Sequence, residues 1–326
     1  MLKEISIEII RKCPNNCVHC SSLSNVFCTE ILPYEIFQKI IADAKQLGAQ
    51  KICLSGGEPF LHPRVLDMVQ YVNSLNMSCV IYTSGITIND CGQHDSIPYA
   101  LIDRLSQFPV RLIFNIEAGT EKTYDRIMGT KKCFYIMQES VRRIVSSGIK
   151  AEAHFVPMSL NLDEIEETVK LCESLGIEKV SFLRLVVHGR AEQCRDDIEL
   201  NEDELIVLKK QLVSLQNQTQ ISIRIGVPLS KDYACSQCEA AKGKLNIKYN
   251  GEVYPCEVFK NSMCERGLDG LKPDSIYQKS LQEIYNDSPY LCCVRTKSAA
   301  FVESADTETC FGQYLMRAVV EGDTGL

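Results

Sequence analysis

No apolar run in this 326-residue chain reaches the roughly 18 residues needed to cross a bilayer. The N-terminus, Met1-Leu2-Lys3-Glu4-Ile5, lacks the apolar core of a signal peptide, so a cytoplasmic protein is expected. No basic stripe accompanies the net charge of -7, which argues against nucleic acid or an anionic membrane as the main partner. Internal repeats and low-complexity segments are also missing. The length suits one large domain with a smaller appendage.

What the chain does have is cysteine, 17 residues of it, in a compartment where thiols stay reduced and disulfide scaffolds are rare. Metal ligation is the natural reading, and an odd count further weakens a disulfide framework. Some of these cysteines sit inside apolar patterns and read as packing residues: Cys53 and Cys79 in strands, Cys172 on a helix face.

The first two thirds alternate short β-rich runs with amphipathic helices. Ile5 to Ile10, Lys51 to Leu54, Cys79 to Tyr82, Arg111 to Ile116, Ala151 to Val156 and Val180 to Val186 read as buried strands. One helix opens at Pro33, turns Ile36, Phe37, Ile40, Ile41, Ala44 and Leu47 inward, and ends at Gly48. Another runs from Asn161 through Leu162, Ile165, Val169 and Cys172 to Gly176. Six such units imply an α/β fold with a parallel sheet, either open and doubly wound or a partial barrel. After the helix carrying Leu205, Leu208, Leu212 and Leu215 the pattern changes to short strands, turns and dense cysteines. A core of residues 1–218 and a cysteine-rich domain of residues 219–326 follow. A β-hairpin is expected across Lys244 to Tyr254, because Asn250-Gly251 suits a tight turn with positive φ.

Cys13-Pro14-Asn15-Asn16-Cys17-Val18-His19-Cys20 directly follows the first strand, at the end where parallel α/β proteins place their sites. Random placement would produce this spacing only about 0.05 times per chain. Three thiolates on one short loop can bind three irons of a 4Fe-4S cluster and leave the fourth open, as catalysis needs. A structural zinc site is the competing reading, although no fourth Cys or His lies at the spacing such sites use. His19 reads as packing or as a hydrogen-bond donor beside the cluster.

The loop, together with Ser55-Gly56-Gly57-Glu58-Pro59 after the second strand, resembles the radical S-adenosylmethionine superfamily, with His19 at a position usually aromatic. The resemblance implies a partial (β/α)6 TIM-like barrel. It implies an open iron that chelates S-adenosylmethionine, and cleavage of that cofactor to methionine and a 5′-deoxyadenosyl radical that abstracts hydrogen from substrate. It implies cofactor contacts at Gly56, Gly57, Glu58 and Pro59, where glycines allow close approach and oxygens can accept from a cationic amine. By the same analogy Ser84, Asn115 and Glu117 at strand ends, with His154 and Arg184 on later strands, face the cofactor. Helix capping or turn formation competes for the first three, and a structural ion pair for Arg184.

The later cysteines, Cys235-Ser236-Gln237-Cys238, Cys256 and Cys310, resemble the auxiliary-cluster domain called SPASM or its shortened form, twitch. Gly189-Arg190-Ala191 and Ser280 to Tyr285 follow that subgroup as well. Where the full form has a second cysteine triplet this chain has Phe301, Ser304 and Cys310, so one auxiliary 4Fe-4S cluster is expected, on Cys235, Cys238, Cys256 and Cys310. Zinc would satisfy the same thiolates, and Cys264, Cys292 or Cys293 are substitutes. The resemblance implies an enzyme that matures a ribosomally made peptide, fed by an electron donor such as flavodoxin or ferredoxin. With no N-terminal leader-binding domain expected, a separate peptide-recognition protein or direct binding of the peptide in the barrel mouth is implied. A radical dehydrogenase or epimerase of a small molecule such as a sugar or aminocyclitol is the alternative. A non-enzymatic metal-binding scaffold is the third reading.

Overall fold

The computed structural model describes residues 1–226, 229, 238–260, 268, 270–304 and 310–321. Cys235 and Cys264, two of the expected metal-ligand candidates, lie outside these residues. Three strands alternate with helices, β1 (Glu4–Ile10), α1 (Tyr34–Gln46), β2 (Lys51–Gly56), α2 (Val65–Ser74) and β3 (Ser78–Thr83), and a hairpin of β4 (Ile86–Ile88) and β5 (His94–Ser96) follows. The chain continues through α3 (Tyr99–Leu105), β6 (Val110–Asn115), α4 (Glu121–Met128), α5 (Phe134–Ser146), β7 (Lys150–Phe155), α6 (Ile165–Ser174) and β8 (Lys179–Phe182). Two short helices, α7 (Arg190–Gln193) and α8 (Arg195–Ile198), lead to α9 (Glu202–Gln218) and β9 (Ser222–Ile225). The remainder holds β10 (Lys244–Ile247), β11 (Val253–Tyr254), α10 (Leu281–Asp287), α11 (Pro289–Ser304) and α12 (Phe311–Glu321).

The local causes are those the pattern implies. In α1, Phe37, Ile40, Ile41 and Ala44 are buried at helical spacing, and Gly48 at φ +96 turns the chain out. The helix expected from Asn161 begins with one tight turn, Leu162–Glu164, before α6 proper buries Ile165, Val169 and Cys172. The strand expected from Val180 to Val186 is shorter. It leaves the sheet after Phe182, because residues 183–190 are drawn across to the cysteine loop.

Nine strands form one sheet in the order β11-β10-β1-β2-β3-β6-β7-β8-β9, parallel from β10 through β9, with β11 antiparallel on the edge. The sheet crosses the expected boundary at residue 218 twice: β9 adds to β8, and β10 pairs in parallel with β1 (Glu4↔Lys244 to Ile7↔Ile247). The sheet is rolled. Five steps of about 4.8 Å would put β2 and β9 about 24 Å apart in a flat sheet, yet Lys51 on β2 feels the charge of Arg224 on β9 and His154 on β7 feels both. The open-or-rolled question therefore resolves as a partial barrel.

Alternation along the strands separates two layers. Ile5, Ile7, Ile9, Ile52, Leu54, Ala151 and Ala153 pack outward under the helices in the main core. Inside lie a small apolar cluster of Cys53, Val80, Ile113 and Tyr82, with the polar Ser6, Glu8, Glu152, Ser181 and Asn246, all buried. Cys53, Cys79 and Cys172 are fully packed, as their patterns imply. At the N-terminal end of the strands, Lys51 and Lys244 pair with Glu4, and Lys179 and Arg111 pair with Glu152, closing that end with charge. The C-terminal strand ends are left to build the site. No described helix is long and apolar enough to cross a membrane.

Candidate active site

The cysteine loop leaves β1 and is tied by backbone hydrogen bonds to three neighbours. Cys13 N donates to Asn25 O at 3.1 Å, Asn16 N to Met128 O at 3.0 Å and Val18 N to Ile127 O at 2.9 Å. The Gly56-Gly57-Glu58 turn is the fourth anchor: Gly57 N donates to Ile10 O at 2.7 Å and Glu58 N to Lys12 O at 2.9 Å. A Cβ on Gly56 would stand 2.2 Å from Ile10 O, and one on Gly57 would stand 2.1 Å from Lys12 O. The glycines thus serve close approach of two protein backbones, the turn and the strand exit that carries Cys13.

Glu58 is fully buried, and its carboxylate faces the end of β3. Oε1 accepts from Thr83 Oγ1 at 2.7 Å and from Phe60 N at 3.3 Å; Oε2 accepts from Ser84 N at 2.9 Å and Ser84 Oγ at 2.7 Å. Burial raises its pKa against the pull of these donors. The Glu58 carboxylate and Ser84 thus hold each other and join β2 to β3, at the strand ends where cofactor contacts are expected. Pro59 opens the buried turn Pro59–Leu61 that follows.

A second bridge joins β6 and β7. Glu117, fully buried, accepts from Asn115 Nδ2 at 3.4 Å and from Val156 N at 2.8 Å, while His19 Nε2 from the cysteine loop lies 3.5 Å from Glu117 Oε1. Asn161 Nδ2 donates to Glu117 O at 2.8 Å and Val156 O at 3.0 Å. Asn115, Glu117 and His19 are thus brought together. His154 lies inside the barrel with its ring 5.3 Å from Tyr82. Burial, then Arg224, Lys179 and Lys51, pushes its pKa down to about 3. Arg184 lines a cleft together with Pro157, Glu199, Leu200, Leu205 and Leu208, none of which belongs to the cysteine loop or the Gly56–Pro59 turn.

Two charged contacts had no local sequence signal. Lys260 Nζ, deeply buried, donates to Glu8 Oε1 at 2.5 Å and to Ser22 Oγ at 3.1 Å, and Ser22 Oγ also donates to Glu8 at 2.5 Å. This ties the segment after Cys256 to β1 and the loop end. Arg190 reaches the same loop from the other side, donating to Cys17 O.

The residues fit a cluster better than a single ion. Burial first, then mutual repulsion, raises the thiol pKa of Cys13 and Cys17, so the three sulfurs of the loop sense one another. Yet no three His, Cys, Asp or Glu side chains among the described residues converge as one ion's ligands would. A cubane spreads its three ligands over three irons and suits that spacing. Around the loop the buried Asn15 amide, His19 Nδ1, Ser24 Oγ and Tyr124 hydroxyl have no hydrogen-bond partner in the protein. Each such group costs about 1–3 kcal/mol when left unpaired. Sulfides are acceptors that relieve donors so placed.

In the C-terminal region Cys256 is half-buried, and its pKa is raised by desolvation, then by Cys310 and Cys238, which places those three expected ligands together. Cys292 is exposed on α11. Cys293 is on the same helix. Phe301, at a position where the full SPASM form has cysteine, stacks with Phe311 at 5.6 Å and Tyr314 at 4.7 Å and so fills its place with apolar packing.

Comparison with known proteins agrees with this geometry. The profile described as Radical SAM superfamily matches residues 7–200, and that of the iron-sulfur cluster-binding domain SPASM matches residues 235–311. The chain is 25% identical over 294 residues to a PqqA peptide cyclase of Gluconobacter oxydans, covering 86% of this chain and 76% of that protein. It is 24% identical over 275 residues to an AdoMet-dependent heme synthase of Methanosarcina barkeri, covering 77% of this chain and 76% of that one. Streptococcus suis SuiB bound to S-adenosylmethionine superposes with a TM-score of 0.72 at 18% identity, over 91% of this chain and 68% of that one. With the profile spanning the cysteine loop, the Gly-Gly-Glu-Pro turn and every strand end described above, the chain belongs to the Radical SAM superfamily, as an enzyme with a C-terminal SPASM iron-sulfur domain.

Proposed function

We propose that this enzyme matures a ribosomally made peptide, binding its catalytic 4Fe-4S cluster through Cys13, Cys17 and Cys20 and one auxiliary cluster through Cys235, Cys238, Cys256 and Cys310. The observation that carries the ligand assignment is the loop itself: three thiols on a backbone anchored by β2, α4 and α7, ringed by buried polar groups with no partner in the protein. Similarity to PqqA peptide cyclases over most of the chain supports a peptide substrate, as does the fold shared with SuiB, solved with its precursor peptide SuiA.

When bound, the cluster and S-adenosylmethionine supply a 5′-deoxyadenosyl radical that removes a hydrogen atom from the substrate. The chain's own residues position and exclude. The Gly56–Pro59 turn fixes the exit of Cys13, Glu58 and Ser84 lock β2 to β3, and Glu117 locks β6 to β7 and to His19. The barrel lumen below is filled by Cys53, Val80, Tyr82 and Ile113, which keeps water from reaching the site from that end. A one-electron donor of the flavodoxin or ferredoxin kind feeds the enzyme, and a separate protein presents the peptide in a cytoplasmic setting.

The test is anaerobic reconstitution. About eight irons per chain are expected, four for each cluster. Replacing Cys13, Cys17 and Cys20 together with Ala should remove about half of them and abolish formation of 5′-deoxyadenosine from reduced enzyme. Full iron in that variant refutes the ligand assignment. Transfer of deuterium from labelled peptides, but not from small polyols, into 5′-deoxyadenosine supports the substrate class; the reverse refutes it.

A further inference from the structure

Residues 189–194, just beyond β8, lie across the cysteine loop and hold it by its backbone. Arg190 spans two carbonyls with its guanidinium, donating through Nε to Cys17 O and through Nη2 to Ser24 O, both at 2.7 Å. Its backbone N donates to Cys20 O at 3.1 Å. Cys194 Sγ donates to Val18 O at 3.5 Å. Gly189, at φ +65, lets the chains come this close: a Cβ there would stand 2.6 Å from Cys20 O. The carbonyls of Cys17, Cys20 and Ser24 in the second half of the loop all accept from Arg190, and Cys17 O accepts from Cys20 N at 3.2 Å as well. A planar fork with several fixed donors suits this task, and a lysine ammonium does not.

The charge is as notable as the geometry. Among the described residues no carboxylate pairs with Arg190, whose side-chain donors go to loop carbonyls. Lys260, another cation near the loop, is balanced by Glu8. Arg190 thus presents a positive charge to the segment between two cysteines.

We propose that Arg190 is a positioning residue for the N-terminal cluster: it keeps the Cys17–Ser24 half of the loop in ligating shape, and its charge makes the bound cluster easier to reduce. The proposal rests on Cys13, Cys17 and Cys20 being the ligands. A cation near a redox centre stabilises the form with one more electron, and the interaction survives at an effective dielectric constant of about 20. The hydrogen bonds act earlier, on the chain that has yet to bind iron, by lowering the entropy lost when the three sulfurs are brought together.

The experiment uses reconstituted full-length protein and the electron paramagnetic resonance signal that changes when S-adenosylmethionine is added, which selects the N-terminal cluster. In Arg190→Met the ratio of reduced to oxidised cluster at a fixed low potential should fall about tenfold, equivalent to about 59 mV for a one-electron couple. Arg190→Lys keeps the charge, so its ratio should stay near wild type. Both variants should lose iron from this site to a chelator several-fold faster than wild type. Arg190→Met with the wild-type ratio overturns the role of the charge. Either variant with the wild-type rate of iron loss overturns the clamp, and Arg190→Lys decides this if Arg190→Met fails to fold. Loss of the responsive signal in the triple cysteine variant tests the ligand assignment separately, so a failure there is distinguishable from a failure here.

Discussion

Replacing Lys260 with Met breaks a buried ion pair by which the chain beyond Cys256 reaches into the barrel. Glu8 is fully buried and the Lys260 side chain is 6% exposed. Without the ammonium, Glu8 keeps only Ser22, and its second oxygen already has no partner. Breaking a buried pair from one side costs about 3–5 kcal/mol, because the remaining charge is stranded. With a urea slope of about 3 kcal/mol per molar, the unfolding midpoint of metal-free protein should fall by about 1–1.7 M. Glu8→Gln in the Lys260→Met background removes the stranded charge and should recover much of the loss, a coupling of about 2 kcal/mol. The pH dependence has a definite sign. Burial alone would lower the Lys260 pKa, but Glu8 and then Glu257 outweigh it and hold it above 10.5. A raised folded-state pKa gives stability that is fully present below the unfolded value and is lost as pH rises through the folded one. The coupling should therefore be equal at pH 7 and pH 9 and fade only above about 10.5. Additive single and double variants, or a coupling already lost at pH 9, would refute the reasoning.

Two further outcomes test the loop. Gly57→Ala should cost about 1–3 kcal/mol through overpacking on Lys12 O and lower N-terminal iron occupancy, whereas Gly92→Ala, with open space around it, should leave iron content unchanged; equal iron in both variants counts against the backbone-contact account. Tyr124→Phe should stabilise the metal-free protein by about 1 kcal/mol, because its buried hydroxyl has no protein partner. Urea unfolding reads the change, and a loss of stability would show that the hydroxyl is paired.

The strands, the helices on the sheet and the cysteine loop were legible because each is written locally, as a two-residue or 3.6-residue period or as a fixed spacing. The reach of β10 to β1 was not. That pairing joins segments at opposite ends of the chain, and nothing in Lys244 to Ile247 distinguishes a barrel strand from a hairpin strand. The same limit separates the site residues. Glu58, Ser84, Asn115 and Glu117 were found because each ends a strand, but their partners were not: Glu58 turns to Ser84, and His19 meets Glu117. Arg190 and Cys17 stand 173 residues apart, and Lys260 and Glu8 stand 252 apart. Only the fold brings such pairs together. The available signal was composition in context: an arginine between a glycine and an alanine next to a buried run, and a lysine four residues past a ligand cysteine. Arg184, a charged residue in an apolar run expected to face the site or to form a structural ion pair, lines the cleft beside α9.

His154 carries the clearest link between the lumen and solution conditions. Its pKa of about 3 in the folded chain, set by burial and then by Arg224, Lys179 and Lys51, compares with 6.5 when unfolded. A depressed histidine pKa means that the unfolded chain binds the proton first, so stability is full above about 6.5 and falls as pH drops toward 3. The whole effect is on the order of 4 kcal/mol. His154→Gln cannot titrate, so its urea midpoint should change less than that of wild type between pH 7 and pH 4. His188, also held near 3, supplies an acid loss common to both proteins. The gap between the two curves should therefore open below about pH 6, and parallel curves would show that the ring is reached by water and protonated in place. At neutral pH the uncharged ring offers the lumen one donor and one acceptor. It can orient a polar group there, but adds no positive charge to the Arg224, Lys179 and Lys51 already near it.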